Sequence, residues 1–550
     1  MARVRRGSVR RLFLVNEINV QGIIRDYERL KSDRVNWNNL WQDVSDFVLP
    51  SREFNSISRP GERRRQKIFD STAPDAAETL SSAVHGMLFN PASIWFSLQM
   101  EDQDLNDNEE VRLWLDTVVL QMLNLFNSQS VGFNTQSYEI MQDLVSFGTG
   151  CLIDRTRTGR VNFTATPLDN IYIKSDSSTN HINTAYREIE WTPNEVIAEF
   201  GKNNVSKNIV DAATDPHSNQ ANKKSVYLHA VFQRDARDAS RRDVFNKQFA
   251  SVYVDLANKV VLSESGMDEF PYIIPRWNKA VGETYGRSPA IKMLAEIMTV
   301  NAMTRTVLVA GEKAVSPPLQ VMANMFKGKI STRPNSINYV KPSAGGDVIK
   351  PIQTGNNVQL GEAMIQSRQE KIMRGFYLHL LELPQNDRMT AVEVTIRTQQ
   401  RMQIFSPVVA RLGSELLQPL VIRTFRAMLA TGALLPPPAV INGRNMFVEF
   451  VSPLGVSQRA SSLGALQQHM SINFAFADTN PEVLDNYNTD SIHRDSAALL
   501  NVPQRYLNQV ATVAQIRQVR NQAMQQREAL EQAEQASKAA KNVGGLSLAG

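Results

Sequence analysis

The stretch from Met389 to Thr431 most limits what this chain can become. It reads as one helix, which at ~1.5 Å per residue would reach roughly 60 Å. A polar segment, Leu383 to Thr390 (LPQNDRMT), precedes it, and three prolines, Pro436 to Pro438, stop the chain beyond it. Pro407 lacks a backbone donor and is expected to kink the helix, and Pro419 to perturb it again. A beam of this length with no catalytic motif on it suits a large structural assembly better than a compact enzyme.

The chain has 550 residues, 42% hydrophobic and 21% charged, which excludes wholesale disorder and allows several domains. A net charge of +5 is mild for one chain, though the fields of many copies in one particle would add. The single cysteine, Cys151, precludes an intrachain disulfide and reads as a small buried thiol. The start, MARVRRGSVRRLFLVNE, has an apolar run of only Leu12 to Val15, short of a signal peptide's ~7–15 residues. No membrane span is expected, because Lys292, Glu296, Asn301 and Arg305 interrupt the best candidate, Ala290 to Ala310.

Read for elements, the chain opens with a basic tail and a helix over Asn19–Phe47 that Pro50 ends. Ser71 or Thr72 is expected to cap a helix ending near Asn90, with IWFSL as a strand after it. A helix over about Asn108–Asn127 carries Val111, Trp114, Leu115, Val118 and Met122 on one face. Alternating strands follow in NFTATPLDNIYIKSD, YREIEWT, SVYLHAVFQRD and ASVYVDLANKVVLSES, an antiparallel, α+β pattern. Pro289 to Lys313 is a helix with two apolar stripes, so it should be covered on two sides. A Pro- and Gly-punctuated β module, Ala314 to Leu360, then leads to a return helix over Gly361–Leu381, like a head on two struts. After the long helix come a strand in NMFVEFVS, a helix to about Phe476, and a last helix rich in Gln and Ala. That last helix is either solvated or packed with its own copies.

Motifs for catalysis are missing. Gly282 to Ser288 (GETYGRS) lacks Walker spacing and its lysine, and SFGTGC lacks GK[ST]. The acidic run from Asp102 fails as a calcium loop, with Asp107 at position 6 and Leu113 at position 12. The 7 histidines (His85, His181, His217, His229, His379, His469 and His493) form no zinc motif, and nothing supports Ser137 or Ser146 as a nucleophile. No cofactor, metal or catalytic residue is expected, and the chain reads as a structural part.

The segments NLWQDVSDFVLP, FDSTAPDAAETLSSAVHGMLFNPASIWFSL, VSFGTGCLI, RMTAVEVTIRTQQRMQIFSPVVARLGSELLQPLVIRTFRAML and FVEFVSPLGVSQRA, in this order, resemble the head-to-tail connecting (portal) proteins of short-tailed bacteriophages, over about residues 32–526. The resemblance implies a predominantly helical α+β portal fold in a ring of twelve copies at one capsid vertex, around double-stranded DNA that is packaged and later ejected. It implies a tail and first helix start over 1–31, a wing from 32–287 and 391–478, stem helices over 288–313 and 361–382, a clip over 314–360, a tunnel loop over 383–390 and a crown or barrel over 479–550. Gln385, Asn386, Asp387 and Arg388 would then face the channel. Pro407 would kink the beam, and Pro317, Pro318, Lys327, Lys329 and Arg333 would belong to the clip. Implied partners are the terminase large subunit, the major capsid and scaffolding proteins, and tail adaptor and tail tube proteins. No membrane is implied. The place is the virion's head–tail junction, after assembly in the host cytoplasm. Another ring-forming virion adaptor or scaffold is the alternative reading.

Overall fold

In the computed structural model the described residues are 19–52, 54, 67–91, 93–106, 108–155, 161–176, 179–214, 219–234, 237, 241, 243–321, 331, 349–351, 358–381, 404–441, 446–450, 464, 466–474, 481–499, 502 and 506–546. They divide into two compact units, one from 1–91 with 125–428 and one from 92–124 with 429–550.

The first unit is built on a five-stranded antiparallel sheet in the order β4-β5-β6-β7-β8: Ile171–Ser175, Ile182–Trp191, Ser225–Gln233, Phe249–Asp255 and Val260–Met267. Alternation along each strand sorts the side chains by face. Leu228, Ala230, Ala250, Val252 and Val254 point to one face and are buried with Ile23, Ile24 and Tyr27 of α1 (Val20–Asp33). Tyr227 and Leu262 serve another cluster, with Val196 of α7 (Pro193–Phe200) and Ile209 of α8 (Lys207–Thr214). A three-stranded sheet, β3-β2-β9, joins Phe163–Ala165, Leu152–Asp154 and Tyr272–Ile273. Cys151 beside it is fully buried, as its lone thiol suggested.

The helix expected over 19–47 is two: α1, and α2 (Val35–Phe47). They meet at Arg34, whose guanidinium is held elsewhere. It donates to the carbonyls of Leu168, Asp169 and Ile171 and lies 3.8 Å from the centre of the Tyr172 ring. The helix α3 (Thr72–Leu88) is likewise not capped as expected. The Ser71 hydroxyl donates to Asp75, and Asp70 Oδ1 instead accepts from the Thr72 N–H at 3.1 Å. The helix α6 (Phe133–Phe147) closes at Gly148, with φ 82°.

In the second unit, β1 (Phe96–Met100) pairs antiparallel with β12 (Met446–Phe450). A short α4 (Gln103–Asn106) precedes α5 (Glu109–Asn127), whose expected face, Val111, Trp114, Leu115, Val118 and Met122, is buried. Trp114 Nε1 donates to the Leu435 carbonyl at 3.1 Å. Helices α14 (466–474), α15 (Thr489–Leu499) and α16 (Val510–Leu546) complete it.

Candidate stem, clip and beam elements

The helix α9 runs from Pro289 to Val315, and α10 from Val358 to Gly375. The pair is antiparallel: Gly375 lies against the Met293 side chain, Arg368 ion-pairs with Glu296, and Gly361 meets Val307. Between the two helices, β10 (Leu319–Val321) and β11 (Ile349–Pro351) pair antiparallel. The return helix stops short of its expected end. Phe376 is buried, Tyr377 turns to φ 60°, and the short α11 (Leu378–Leu381) follows.

The root of α9 is fixed by backbone packing that needs glycine. A Cβ on Gly148 would sit 2.5 Å from the Gly286 carbonyl oxygen, and one on Gly286 would sit 2.1 Å from that of Gly148. Next to this contact Ser288 caps α9, its Oγ accepting from the Ile291 N–H at 2.9 Å and donating to the Ser146 carbonyl at 2.7 Å. Pro289 occupies the first turn, where a missing N–H costs nothing.

Further along α9, buried Asn301 holds the segment that leads into α3. Its Oδ1 accepts from Phe69 N at 2.6 Å and Asp70 N at 3.3 Å, and its Nδ2 donates to Lys67 O at 2.8 Å. The sequence marked Asn301 only as an interruption in an apolar run. By length and composition α9 is apolar enough to cross a membrane, contrary to expectation, because its apolar residues outweigh the interrupting charges. The Asn301 bonds and the Glu296–Arg368 pair place its first half against protein. Of the two expected stripes, one with Ile291, Leu294 and Met298 and one with Met293, Ile297, Val300 and Val307, Leu294, Ile297 and Val300 are buried and Met298 is exposed; Leu308 and Val309, outside both stripes, are exposed as well.

The beam is described from residue 404. Helix α12 (404–412), a π turn over Gly413–Leu417 and α13 (Gln418–Ala430) follow one another. Pro407 lies within α12. The hydrogen-bond ladder is irregular next to the other proline: Pro419 has no N–H, and the Gln418 N–H reaches back five residues to the Gly413 carbonyl. The beam ends before the triple proline, at Gly432 with φ 68°.

Two arginine–carboxylate pairs tie this beam to the sheets. Arg276, almost fully buried, donates Nε and its backbone N–H to Glu415 Oε2 and Nη2 to Oε1, at 3.1, 2.9 and 2.7 Å. It also reaches the Thr284 and Asn180 carbonyls, both at 3.2 Å. Arg423 places Nε and Nη2 on Asp154 Oδ2, at 2.9 and 2.8 Å. Nothing in the sequence paired Arg276 with Glu415.

Among the other singled-out residues, Pro317 and Pro318 lead from α9 into β10. Gln385, Asn386, Asp387, Arg388, Lys327, Lys329 and Arg333 lie outside the described residues. His85 Nε2 is 2.9 Å from Ser137 Oγ, but the Ser137 hydroxyl donates to the Asn134 carbonyl, a helix serine's habit rather than a nucleophile's. His229 is buried between Tyr272 Oη at 2.6 Å and Ser251 Oγ at 2.9 Å and stacks on Tyr253. Burial first, and the charges of Arg187 and Arg155 next, push its pKa down to about 3. Among the described residues no cluster of three or more His, Cys, Asp or Glu could hold a metal ion.

Residues 20–507 match the family described as bacteriophage head to tail connecting protein. The chain belongs to that family. The connector is 29% identical over 496 residues to the probable portal protein of Bordetella phage BPP-1, covering 88% of each chain. It is 28% identical over 486 residues to the portal protein of Salmonella phage epsilon15, covering 86% of each. A chain in the virion of a native gene transfer agent particle aligns with a TM-score of 0.33 and 10% identity, over 76% of the connector and 92% of that chain. The connector is therefore a structural component of the phage virion, a portal at the head–tail junction, and not an enzyme.

Proposed function

We propose that copies of this connector close into a ring of twelve, with double-stranded DNA passing through the centre during packaging and ejection. In this reading α9 and α10 are the stem, over 288–313 and 361–382, and carry the clip, 314–360, which meets first the terminase large subunit and then the tail adaptor and tail tube proteins. The wing, 32–287 with 391–478, meets the major capsid and scaffolding proteins. The loop over 383–390 is the tunnel loop at the channel wall, joined to the wing by the beam, with Pro407 as its bend. Residues 479–550 form the crown and barrel. Assembly takes place in the host cytoplasm.

The observation that carries this reading is α9. It leaves Met298, Leu308 and Val309 exposed on a helix whose buried residues, Pro289, Ala290, Leu294, Ile297, Val300 and Asn301, all lie in its first half. An apolar surface of that kind calls for a neighbour, and in a closed ring every copy supplies one to the next. The test is native mass measurement with electron microscopy of the purified chain over a range of concentrations. Rings with a central hole are expected. Monomers alone, persisting at high concentration, would overturn the proposal.

A further inference from the structure

The return helix breaks where its sequence gives no reason to. From Phe376 to Leu383 (FYLHLLEL) there is no glycine or proline, and the first breaker is Pro384. Yet α10 ends at Gly375, and Tyr377 adopts φ 60°. A helix that closes on a left-handed residue normally places glycine or asparagine there, because a Cβ is crowded by the adjacent carbonyl. A bulky aromatic residue in this conformation is an outlier. The nearby glycine is committed elsewhere: a Cβ on Gly375 would lie 2.4 Å from Met293 Cγ of α9. The left-handed turn falls two residues later, on a side chain that disfavours it.

Tertiary contacts hold the bend. The Tyr377 N–H reaches back only three residues, to the Arg374 carbonyl at 3.0 Å, and the Tyr377 carbonyl accepts from the Leu380 N–H at 2.9 Å. Phe376 beside it is fully buried. The Tyr377 ring packs on Phe405 in the first turn of α12, with 5.2 Å between centroids, and Phe405 is itself buried. The short α11 lies against α3. Rotation of one residue from the left-handed to the right-handed helical region would join α10 and α11 into one helix. It would relieve the Tyr377 backbone and complete a helical ladder. The same rotation would carry α11 off α3 and the Tyr377 ring off Phe405. The backbone favours the straight form and the packing favours the bent one, and both contributions meet at one residue.

We infer that Tyr377 is a conformational latch. In the bent state its ring is seated on Phe405; in the other state one straight helix runs from Val358 to Leu381 and the ring is released. Phe405 belongs to α12, so the state of the return helix is registered at the beam through this ring pair. The inference uses contacts within one subunit and stands or falls separately from the ring reading above.

Alanine and glycine at position 377 both remove the ring but differ in backbone preference, which separates a latch from mere loss of packing. Spin labels on His379→Cys in α11 and Glu78→Cys in α3, both exposed, report the bend as a distance in the full chain, since the one native thiol is buried. Labelled chain is diluted into unlabelled chain so that only distances within one subunit are read. Without further substitution, one dominant short distance is expected. Tyr377→Ala is expected to add a longer one, with a long-to-short ratio at least ~5-fold above that of Tyr377→Gly, because glycine tolerates the left-handed turn and disfavours the helix. Phe405→Leu, which keeps an apolar side chain and removes the ring pair, is expected to add the same long distance, and it decides the matter alone if Tyr377→Ala does not fold. An unchanged distance in Phe405→Leu, or equal distributions in Tyr377→Ala and Tyr377→Gly, would overturn the latch.

Discussion

One carboxylate oxygen of Glu415 accepts both the backbone N–H and the Nε of Arg276, and the other accepts its Nη2. Glu415 sits in the π turn of the beam, and Arg276 in the segment between β9 and α9. The pair thus links the beam to the segment that leads into α9. Removing one partner of a buried pair leaves the other charge unpaired. Arg276→Met is expected to lower stability by ~3–5 kcal/mol in denaturant unfolding. Arg276→Lys should recover little, because an ammonium cannot reproduce the fork. A loss under 1 kcal/mol would show that the clasp is incidental.

Gly148 and Gly286 leave no room for a methyl group on either partner. Gly148→Ala adds strain at φ 82° to a backbone collision. Either alanine variant is expected to cost at least ~2 kcal/mol, or to yield insoluble chain. Gly132→Ala is the control: its φ of 62° is also left-handed, but nothing lies within 4 Å of the added carbon. Equal melting temperatures for Gly286→Ala and the control would refute the close-packed root.

Asn301 satisfies two backbone donors and one acceptor of the segment 67–70. Asn301→Leu keeps the branched side-chain skeleton and removes every side-chain bond. The expected cost is ~1–3 kcal/mol, with faster amide exchange at Phe69 and Asp70. Unchanged exchange at those amides would count against the anchor.

The burial of His229 makes a pH prediction with a definite sign. Its pKa is held at about 3, below the ordinary ~6.5 of an unfolded chain. Its stabilising contribution is therefore complete above about pH 6.5 and is lost as pH falls towards 3. Asp143 acts oppositely: burial lifts its pKa to about 6, which favours the fold on the acid side. Comparing wild type with His229→Gln isolates the histidine, and the variant's stability should fall less between pH 6.5 and 4. Parallel pH profiles would show that His229 does not titrate on unfolding.

The tunnel-loop assignment is tested by Arg388→Glu. In the proposed channel, Arg388 offers each phosphate a weak contact that is independent of DNA sequence. Ring assembly is expected to survive the substitution, while packaged DNA per particle falls. Normal genome content would remove the channel role from this loop and leave the family membership untouched.

Periodicity alone determined much of this protein. The strands Ile182–Trp191 and Phe249–Asp255, the apolar face of α5 and the out-and-back pair α9 and α10 follow from local pattern, because side chains return to one face every two residues in a strand and every three to four in a helix. The order of motifs led to the connector family for the same reason, since order is a property of the chain itself. Only tertiary structure decided the break at Arg34, where distant carbonyls at 168–171 compete for the side chain. It also decided the fit of Gly148 against Gly286 and the joining of Arg276 to Glu415, 139 residues apart. Such contacts depend on where two remote segments meet in space, and no local period encodes that meeting.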